Sequence, residues 1–261
     1  MFVNHCHLLP PGLFAADDPL RGTPGGLLAA MDNLGIDRAV VFAPLPGFIP
    51  DAREANQWLW EQVRDNERFT GFMTLNPVDS RSLPLMQEFA AKGLCGLKIH
   101  PPAFRARLDD EAAYPFYELA ATLSLPILFH TGVHGWLLEN YMPILLDRVA
   151  HQFPDLKIIV EHMGGWEFFD QALAVVRNNR NCYAGITSTL AAQWAWYLTP
   201  DRLRYMALMV GVERVIFGTD YPFRTSEDIG QDIQVVREVF GNPETVDRIL
   251  GANLAALLGC E

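Results

Sequence analysis

The sequence predicts a (β/α)8 barrel, the TIM-barrel fold, with additional helices at the C-terminal end. Two observations support this prediction. Eight short apolar runs alternate with amphipathic stretches along the chain, and polar side chains follow the carboxyl ends of five of those runs. A doubly wound open sheet is the competing α/β architecture, but it would spread those ends along a line, whereas a barrel gathers them around one mouth. The polar residues therefore favour the barrel.

The predicted strands are rich in valine, isoleucine, leucine and phenylalanine, as expected of strands that are buried on both faces. They cover residues 2–7, 37–43, 69–75, 94–100, 125–130, 156–162, 182–188 and 214–219. The predicted helices cover residues 24–34, 52–66, 80–91, 111–123, 138–152, 167–177, 201–210 and 227–258, and Gly241 and Pro243 break the last of these. No linker or low-complexity segment divides the chain, so residues 1–261 are expected to form a single domain.

The composition is that of a globular protein with excess negative charge. Of the 261 residues 50% are hydrophobic and 20% are charged, and the net charge is -11. An acidic chain argues against a nucleic-acid partner, because phosphate binding needs a basic surface. No apolar run approaches the roughly 20 residues that cross a bilayer, and the first residues lack the pattern of a secretory signal. We therefore expect a cytoplasmic protein that binds a small molecule and neither nucleic acid nor membrane.

The four cysteines are widely spaced and form no CxxC pair. Few cysteines in a chain of this length fit a reducing compartment without a disulfide framework. Each cysteine is expected to be a small buried apolar residue. The oligomeric state stays open at this stage, with a homodimer as the commonest symmetric assembly.

Two histidines stand two residues apart on the first predicted strand. Because side chains alternate along a strand, His5 and His7 are expected to face the barrel interior together. Imidazole is a good ligand for zinc and similar ions, whereas a buried pair of imidazoles makes poor core filler. Taken alone the pattern is a weak indication of a metal, because short motifs often occur without one.

Three further residues at strand ends strengthen the metal hypothesis. Strand five ends at His130, strand six ends at His162, and Asp220 follows the apolar run of strand eight, where a carboxylate needs a partner or a metal. Each of them alone can be a satisfied polar residue in a βα loop. Together with His5 and His7 they match the nitrogen and oxygen ligands of a catalytic zinc site.

Several segments resemble the amidohydrolase-2 (amidohydrolase-related) family, which includes aminocarboxymuconate-semialdehyde decarboxylase. In chain order they are HCHLLP, GLKIHP, FHTG, EHMGG, GTDYPF and ILGANLAALLG. The resemblance implies that His5, His7, His130 and Asp220 hold one divalent metal ion, usually zinc and sometimes manganese. It also implies that His162 is not a stable ligand but orients or deprotonates the metal-bound water. The family commonly has aspartate two residues before the first histidine, where this chain has Val3.

Five other residues near the predicted mouth are expected to contact the substrate. They are Lys98, His100, His134, Trp166 and Arg224. Lys98 and His100 suit an acidic group of the substrate, and Arg224 suits a carboxylate clamp. Lys98 has two alternatives, a carboxylated bridge in a two-metal site and a member of a buried ion pair. Each of the others can instead be a packed or solvent-exposed residue.

Three functions are open. The first is a metal-dependent hydrolase of a small carboxylate-bearing ester, lactone or amide. Coordination lowers the pKa of water to about 7, and His162 and Asp220 would manage the proton. The second is a non-oxidative decarboxylase (carboxy-lyase) of an unsaturated or aromatic acid in the same type of site. The third is a non-catalytic barrel that binds a metabolite, in which the aromatic run at residues 193–197 would be an exposed contact surface rather than a pocket lid.

Overall fold

The computed structural model describes residues 1–260 and confirms the predicted barrel. All strand pairs are parallel, and the strand order is β8-β7-β6-β5-β4-β3-β2-β1-β9. The strands are β1 (Phe2–His7), β2 (Arg38–Phe42), β3 (Phe69–Thr74), β4 (Leu97–Ile99), β5 (Ile127–His130), β6 (Ile158–Glu161), β7 (Cys182–Gly185), β8 (Val215–Ile216) and β9 (Gly218–Tyr221).

The predicted eighth strand consists of two segments. Phe217 alone separates β8, which pairs with β7, from β9, which pairs with β1. The two segments therefore act together as the eighth strand that closes the barrel. Strand β7 ends at Gly185, earlier than the sequence predicts, so the chain turns away from the sheet before it reaches Ser188.

Apart from the short helix α4, which was not predicted, the helices lie where the sequence predicts them, with differences at their ends. They are α1 (Pro24–Leu34), α2 (Ala52–Val63), α3 (Ser82–Ala91), α4 (Pro101–Phe104), α5 (Tyr114–Thr122), α6 (Leu145–Gln152), α7 (Gly165–Asn178), α8 (Pro200–Val210), α9 (Ser226–Phe240), α10 (Pro243–Asp247) and α11 (Asn253–Leu258). Residues 138–140 form a separate 3-10 turn rather than the start of a long helix. The break predicted at Gly241 and Pro243 lies between α9 and α10.

The amino-terminal end of the barrel is filled by apolar side chains. Residues of six strands and of α11 form this plug: Phe2, Val40, Phe42, Phe72, Leu128, Ile159, Ile216, Leu254 and Leu257. A second apolar layer packs the outer faces of the strands against the surrounding helices. Polar groups inside the barrel are thereby confined to the opposite end. No helix within residues 1–260 is long and apolar enough to span a membrane.

We expect Leu254→Ala to lower the free energy of unfolding by about 2–5 kcal/mol, because it leaves a cavity in the plug. Leu254 is 1% exposed, whereas Leu208 on α8 is 79% exposed and serves as the matched control. Leu208→Ala should change the free energy of unfolding by no more than about 0.5 kcal/mol. Urea unfolding measures both values, and equal losses in the two variants would contradict this account of the core.

Candidate active site

The carboxyl ends of the strands surround a cavity of about 550 Å³. Six of the seven histidines of the chain line it, namely His5, His7, His100, His130, His134 and His162. Lys98 and Asp220 also line it, and aromatic side chains form much of its wall, namely Phe48, Trp136, Trp194, Trp196 and Phe223. Strand ends from opposite sides of the barrel therefore bring most of the predicted site residues into one cavity.

Three of the predicted metal ligands lie together. The ligand atoms of His5, His7 and Asp220 are within 4.8 Å of one another. Asp220 Oδ1 is 3.5 Å from His5 Nε2 and 3.7 Å from His7 Nε2. Tetrahedral bonds of about 2.1 Å would place neighbouring ligand atoms roughly 3.4 Å apart. Two imidazoles and one carboxylate at these separations therefore fit a divalent metal ion.

A buried carboxylate, Glu161, holds His5 in position. His5 Nδ1 lies 3.1 Å from Glu161 Oε2, and Asn4 Nδ2 donates to the same oxygen at 3.2 Å. The carboxylate only accepts, so Nδ1 of His5 carries the proton and Nε2 keeps the lone pair that a metal needs. Oε1 of Glu161 accepts the backbone N–H groups of His162 and Thr187. Glu161 therefore links three segments of the site.

Strand β1 reaches Glu161 with two consecutive side chains because it is bulged. Its register shifts between Val3 and Cys6, and His5 has a φ of 62° in the left-handed region. Regular alternation would send Asn4 and His5 to opposite faces. His5 and His7 share the cavity as predicted, but the bulge rather than simple alternation places His5.

Two glycines leave room for the buried groups. A Cβ atom on Gly185 would lie 2.4 Å from Glu161 Oε1, and one on Gly218 would lie 2.1 Å from Thr187 Oγ1 and 3.0 Å from the Cβ of His5. Any larger residue at either position would displace the carboxylate or the histidine that it holds. The site therefore requires glycine at these two positions as well as suitable ligand residues on the strands.

His162 has a fixed orientation that suits a base. Its Nδ1 lies 2.8 Å from the backbone carbonyl of Thr187, which only accepts, so Nδ1 carries the proton and Nε2 keeps its lone pair. The ring of Trp196 covers the imidazole with the two ring centroids 4.1 Å apart. Burial lowers the pKa of His162 well below 6.5, so the ring is neutral near pH 7.

Asp220 is the acidic group of the cavity. Ser188 Oγ donates to its Oδ2 at 2.8 Å, which leaves Oδ1 facing the two histidines of β1. Burial raises the pKa of Asp220 to about 6. Asp220, Ser188, His5 and His162 all have positive φ, between 57° and 64°. A left-handed backbone conformation costs about 1–3 kcal/mol per residue. It persists only where the surrounding structure enforces it, and such residues are common at functional sites.

His130 lies apart from the three convergent ligands. Its ligand atoms group instead with those of His100 and His134. Its Nε2 lies 2.8 Å from the backbone carbonyl of Gly132, so Nε2 carries the proton and Nδ1 is the nitrogen left for a metal. The role of His130 as a fourth ligand stays a proposal.

Lys98 is fully buried beside the histidines of β1. Its Nζ lies 3.2 Å from His5 Nε2, the nitrogen that would bind a metal, and 5.3 Å from the centre of the Phe42 ring. Burial lowers the pKa of Lys98 to about 8, partly offset by the carboxylates of Glu161 and Asp220. A cation at His5 would therefore compete with the ammonium group for this place.

Two predicted substrate contacts do not reach the cavity. Arg224 is fully buried, with Nη2 at 2.8 Å from Asp232 Oδ2 on α9 and its guanidinium 4.1 Å from the centre of the Trp194 ring. Arg224 therefore supports the cavity wall from behind and cannot clamp a carboxylate. Trp166, in the first turn of α7, is 52% exposed and stacks against Arg202. These placements correct both expectations.

Several residues of the site were not predicted. Among them are Glu161, Ser188 and Arg105, the last of which lines the cavity mouth. Glu161 carried a signal, because a carboxylate in an otherwise apolar strand needs a buried partner. Ser188 and Arg105 gave none, since serine and arginine are ordinary loop residues. Of the aromatic run at residues 193–197, Trp194 and Trp196 belong to the cavity wall.

We expect Glu161→Gln to weaken metal binding by about 10- to 100-fold, because the amide cannot replace the carboxylate that orients His5. Competition with a chelator measures the affinity. Glu244→Gln, which removes an exposed carboxylate paired with Arg248, is the control and should bind metal as tightly as the unmodified chain. Unchanged affinity in Glu161→Gln would contradict the role given to this carboxylate.

We also expect the metal-free protein to lose stability below about pH 6.5. Burial lowers the pKa values of five histidines well below 6.5, namely those of His5, His7, His100, His130 and His162. The unfolded chain therefore binds protons below pH 6.5 that the folded chain does not, which costs up to about 1.4 kcal/mol per pH unit for each histidine. Asp220 and Asp232, whose pKa values are raised to about 6, act in the opposite direction below that pH.

Urea unfolding with a chelator at pH 7.5, 6.5 and 5.5 measures this loss. His151→Gln, which removes an exposed histidine of α6, should leave the pH dependence unchanged. A free energy of unfolding that stays constant between pH 7.5 and 5.5 would show that the five rings take up protons freely in the folded state.

Comparison with known proteins places this chain in a family. Residues 5–260 match the family model described as amidohydrolase. The chain is 25% identical over 158 residues to the dihydroorotase of Helicobacter acinonychis, a match that covers 57% of this chain and 45% of that enzyme. It is 23% identical over 243 residues to the 2-amino-3-carboxymuconate-6-semialdehyde decarboxylase of Dictyostelium discoideum, covering 80% of this chain and 67% of the relative.

The fold also matches a solved structure over its full length. The crystal structure of 5-carboxyvanillate decarboxylase from Sphingomonas paucimobilis superposes with a TM-score of 0.77 at 18% identity, covering 100% of this chain and 99% of that one. At this identity the likeness supports the fold alone. The family model, in contrast, spans the first metal-ligand candidate, His5, and continues to residue 260. The chain therefore belongs to the amidohydrolase family, whose members are metal-dependent enzymes.

Proposed function

We propose that the protein is a metal-dependent carboxy-lyase that removes carbon dioxide from an aromatic or unsaturated carboxylic acid. The observation that carries the proposal is the lining of the cavity, where metal donors and aromatic walls occur together. Flat aromatic side chains favour a planar conjugated substrate through stacked or edge-to-face contacts. The long sequence match to a decarboxylase points in the same direction.

His5, His7 and Asp220 would hold the metal, with His130 as the proposed fourth ligand. Their nitrogen and oxygen donors suit zinc, and manganese is an alternative because the same ligands accept several divalent ions. When bound, the ion supplies positive charge that polarises oxygen atoms of the substrate. The remaining steps belong to the side chains of the cavity.

Decarboxylation needs a proton at one carbon atom. The proton adds to the carbon that bears the carboxylate, the bond to the carboxylate carbon breaks, its electron pair returns to the conjugated system, and carbon dioxide leaves. The proton comes from water, because His162 Nε2 carries none near pH 7, and we assign its transfer from water to the carbon to His162 Nε2 and Asp220. Thr187 fixes the first group through Nδ1 and Ser188 fixes the second through Oδ2. Both would deliver the proton from a fixed direction.

The wall of the cavity assists by excluding water. Trp196 lies over His162 and also has its ring centroid 5.1 Å from that of His130. Its Nε1 donates to the backbone carbonyl of Val133 at 3.2 Å, which ties the loop after β7 to the loop after β5. In a cavity with little water the charges around a carboxylate act more strongly, and the product carbon dioxide carries no charge.

Hydrolysis of a small ester, lactone or amide is the second candidate. The observation that favours it is the unoccupied lone pair of His162 Nε2, which can take a proton from water as readily as it can return one to carbon. The match to the dihydroorotase covers about half of the chain. A non-catalytic barrel, the third expectation, is disfavoured by membership in an enzyme family.

The two reactions are separated by their products. The zinc- or manganese-loaded protein is incubated with a panel of aromatic and unsaturated carboxylic acids and with a panel of lactones and amides. Our proposal predicts carbon dioxide release from members of the first panel. Release of acid from the second panel, without carbon dioxide from the first, would establish the hydrolase instead.

We expect His162→Asn to retain its metal and to lose activity by about 10²–10⁴-fold, because the amide cannot carry the proton. His7→Ala should lose metal, since it removes one of the three convergent ligands. His151→Asn on the surface is the control and should keep both properties. Metal analysis beside the carbon dioxide assay measures the set. Loss of metal in His162→Asn would make this histidine a ligand and contradict its assigned role.

A further inference from the structure

His100 differs from the other oriented histidines of the cavity in the ring nitrogen that is engaged. It precedes α4 as its N-cap residue, and His100 Nδ1 accepts the backbone N–H of Ala103 at 3.2 Å. A backbone N–H can only donate, so Nδ1 must carry a lone pair. The proton of the neutral ring is then on Nε2. If the ring were doubly protonated, its Nδ1–H would point at the backbone N–H of Ala103, and the two hydrogens would repel each other.

Three other histidines have the opposite arrangement. His5 Nδ1, His130 Nε2 and His162 Nδ1 each face a carboxylate or a carbonyl, groups that only accept. Each of these rings therefore keeps a lone pair on its second nitrogen, as a metal ligand or a base requires. His100 instead keeps an N–H group on its second nitrogen, so the cavity holds one imidazole prepared to donate.

The ring of His100 is also badly placed to bind a metal together with His130. The two rings are stacked, with centroids 4.3 Å apart and an angle of 25° between their planes. Imidazoles that bind the same ion point the lone pairs of their nitrogens at that ion. In stacked rings the lone pairs run nearly parallel and do not converge on one point. The group formed by His100, His130 and His134 is therefore a poor second metal site, although its ligand atoms lie within 4.8 Å of one another.

The charges nearby favour an anionic partner for this donor. Arg105 ends the same short helix that His100 begins, in a left-handed conformation with a φ of 51°, and both residues line the cavity. Lys98 adds a second cation, against the single carboxylate of Asp220. A positive lining in a chain with a net charge of -11 attracts anions to this cavity rather than to the surface around it.

We propose that His100 donates its Nε2 hydrogen to a carboxylate oxygen of the substrate, that Arg105 faces the same carboxylate, and that His100 binds no metal. The inference rests on the proposed function for the class of substrate, an organic acid. The wall formed by α4 would then recognise the substrate, and the ends of β1, β6 and β9 would carry the metal and the proton. His100 is therefore a specificity-determining residue, separate from the metal ligands.

The tautomer is tested first, by nitrogen-15 NMR of the histidine rings in the zinc-loaded protein. The proposal predicts that His100 is neutral, with its proton on Nε2 and neither nitrogen bound to zinc. A proton on Nδ1, or a zinc-bound nitrogen in His100, would overturn it. This measurement needs neither a variant nor turnover, so its result is independent of whether the protein is a carboxy-lyase.

Recognition is tested by calorimetric binding of benzoate to the zinc-loaded protein. His100→Leu should weaken binding about tenfold or more, because a hydrogen bond to a charged group is lost. His100→Gln, which keeps an N–H donor, should recover most of that loss, and both variants should hold as much zinc as the unmodified protein. Arg105→Gln should also weaken binding.

Three results would overturn the proposal, namely no benzoate binding by the unmodified protein, equal binding in His100→Leu, or zinc loss in that variant. Benzoate binding that depends on His100, without carbon dioxide release from any acid, would instead count against the proposed function alone.

Discussion

The buried contact between His5 Nδ1 and the carboxylate of Glu161, at 3.1 Å, is the interaction on which the site depends. It fixes the proton of His5 on Nδ1 and leaves Nε2 for a metal. The same carboxylate binds Asn4 and the backbone N–H groups of His162 and Thr187. Since Thr187 in turn orients His162, one buried charge sets both the metal-binding histidine and the base. A buried carboxylate is costly unless it is fully paired, and here its partners come from three segments.

The barrel makes this arrangement possible because apolar side chains fill one end of its interior and polar side chains lie at the other. The plug formed with α11 fills one end, so the interior stays apolar up to Phe42, whose ring lies 5.0 Å from that of His5. Above that level the backbone departs from regular geometry. The bulge of β1 and the left-handed residues His162, Ser188 and Asp220 turn side chains into the cavity. The hydrogen-bonded sheet beneath holds these unfavourable conformations in place.

The sequence was sufficient to predict the barrel, because apolar strands and amphipathic helices alternate with clear periods. It also predicted that His5, His7 and Asp220 would meet, since a barrel gathers strand ends at one mouth. It could not show that Arg224 is buried, because its partner Asp232 lies in the middle of α9 and only packing brings the two together. Nor could it show the bulge of β1, or the ring nitrogen that each histidine uses, because both depend on contacts between distant segments.

The most direct test of this account is a crystal structure of the zinc-loaded protein with anomalous diffraction measured at the zinc edge. The account predicts one strong peak at about 2.0–2.2 Å from His5 Nε2, from His7 Nε2 and from Asp220 Oδ1. It predicts no zinc bound to His100. A peak among His100, His130 and His134 with none beside His5, or no bound zinc at all, would contradict it.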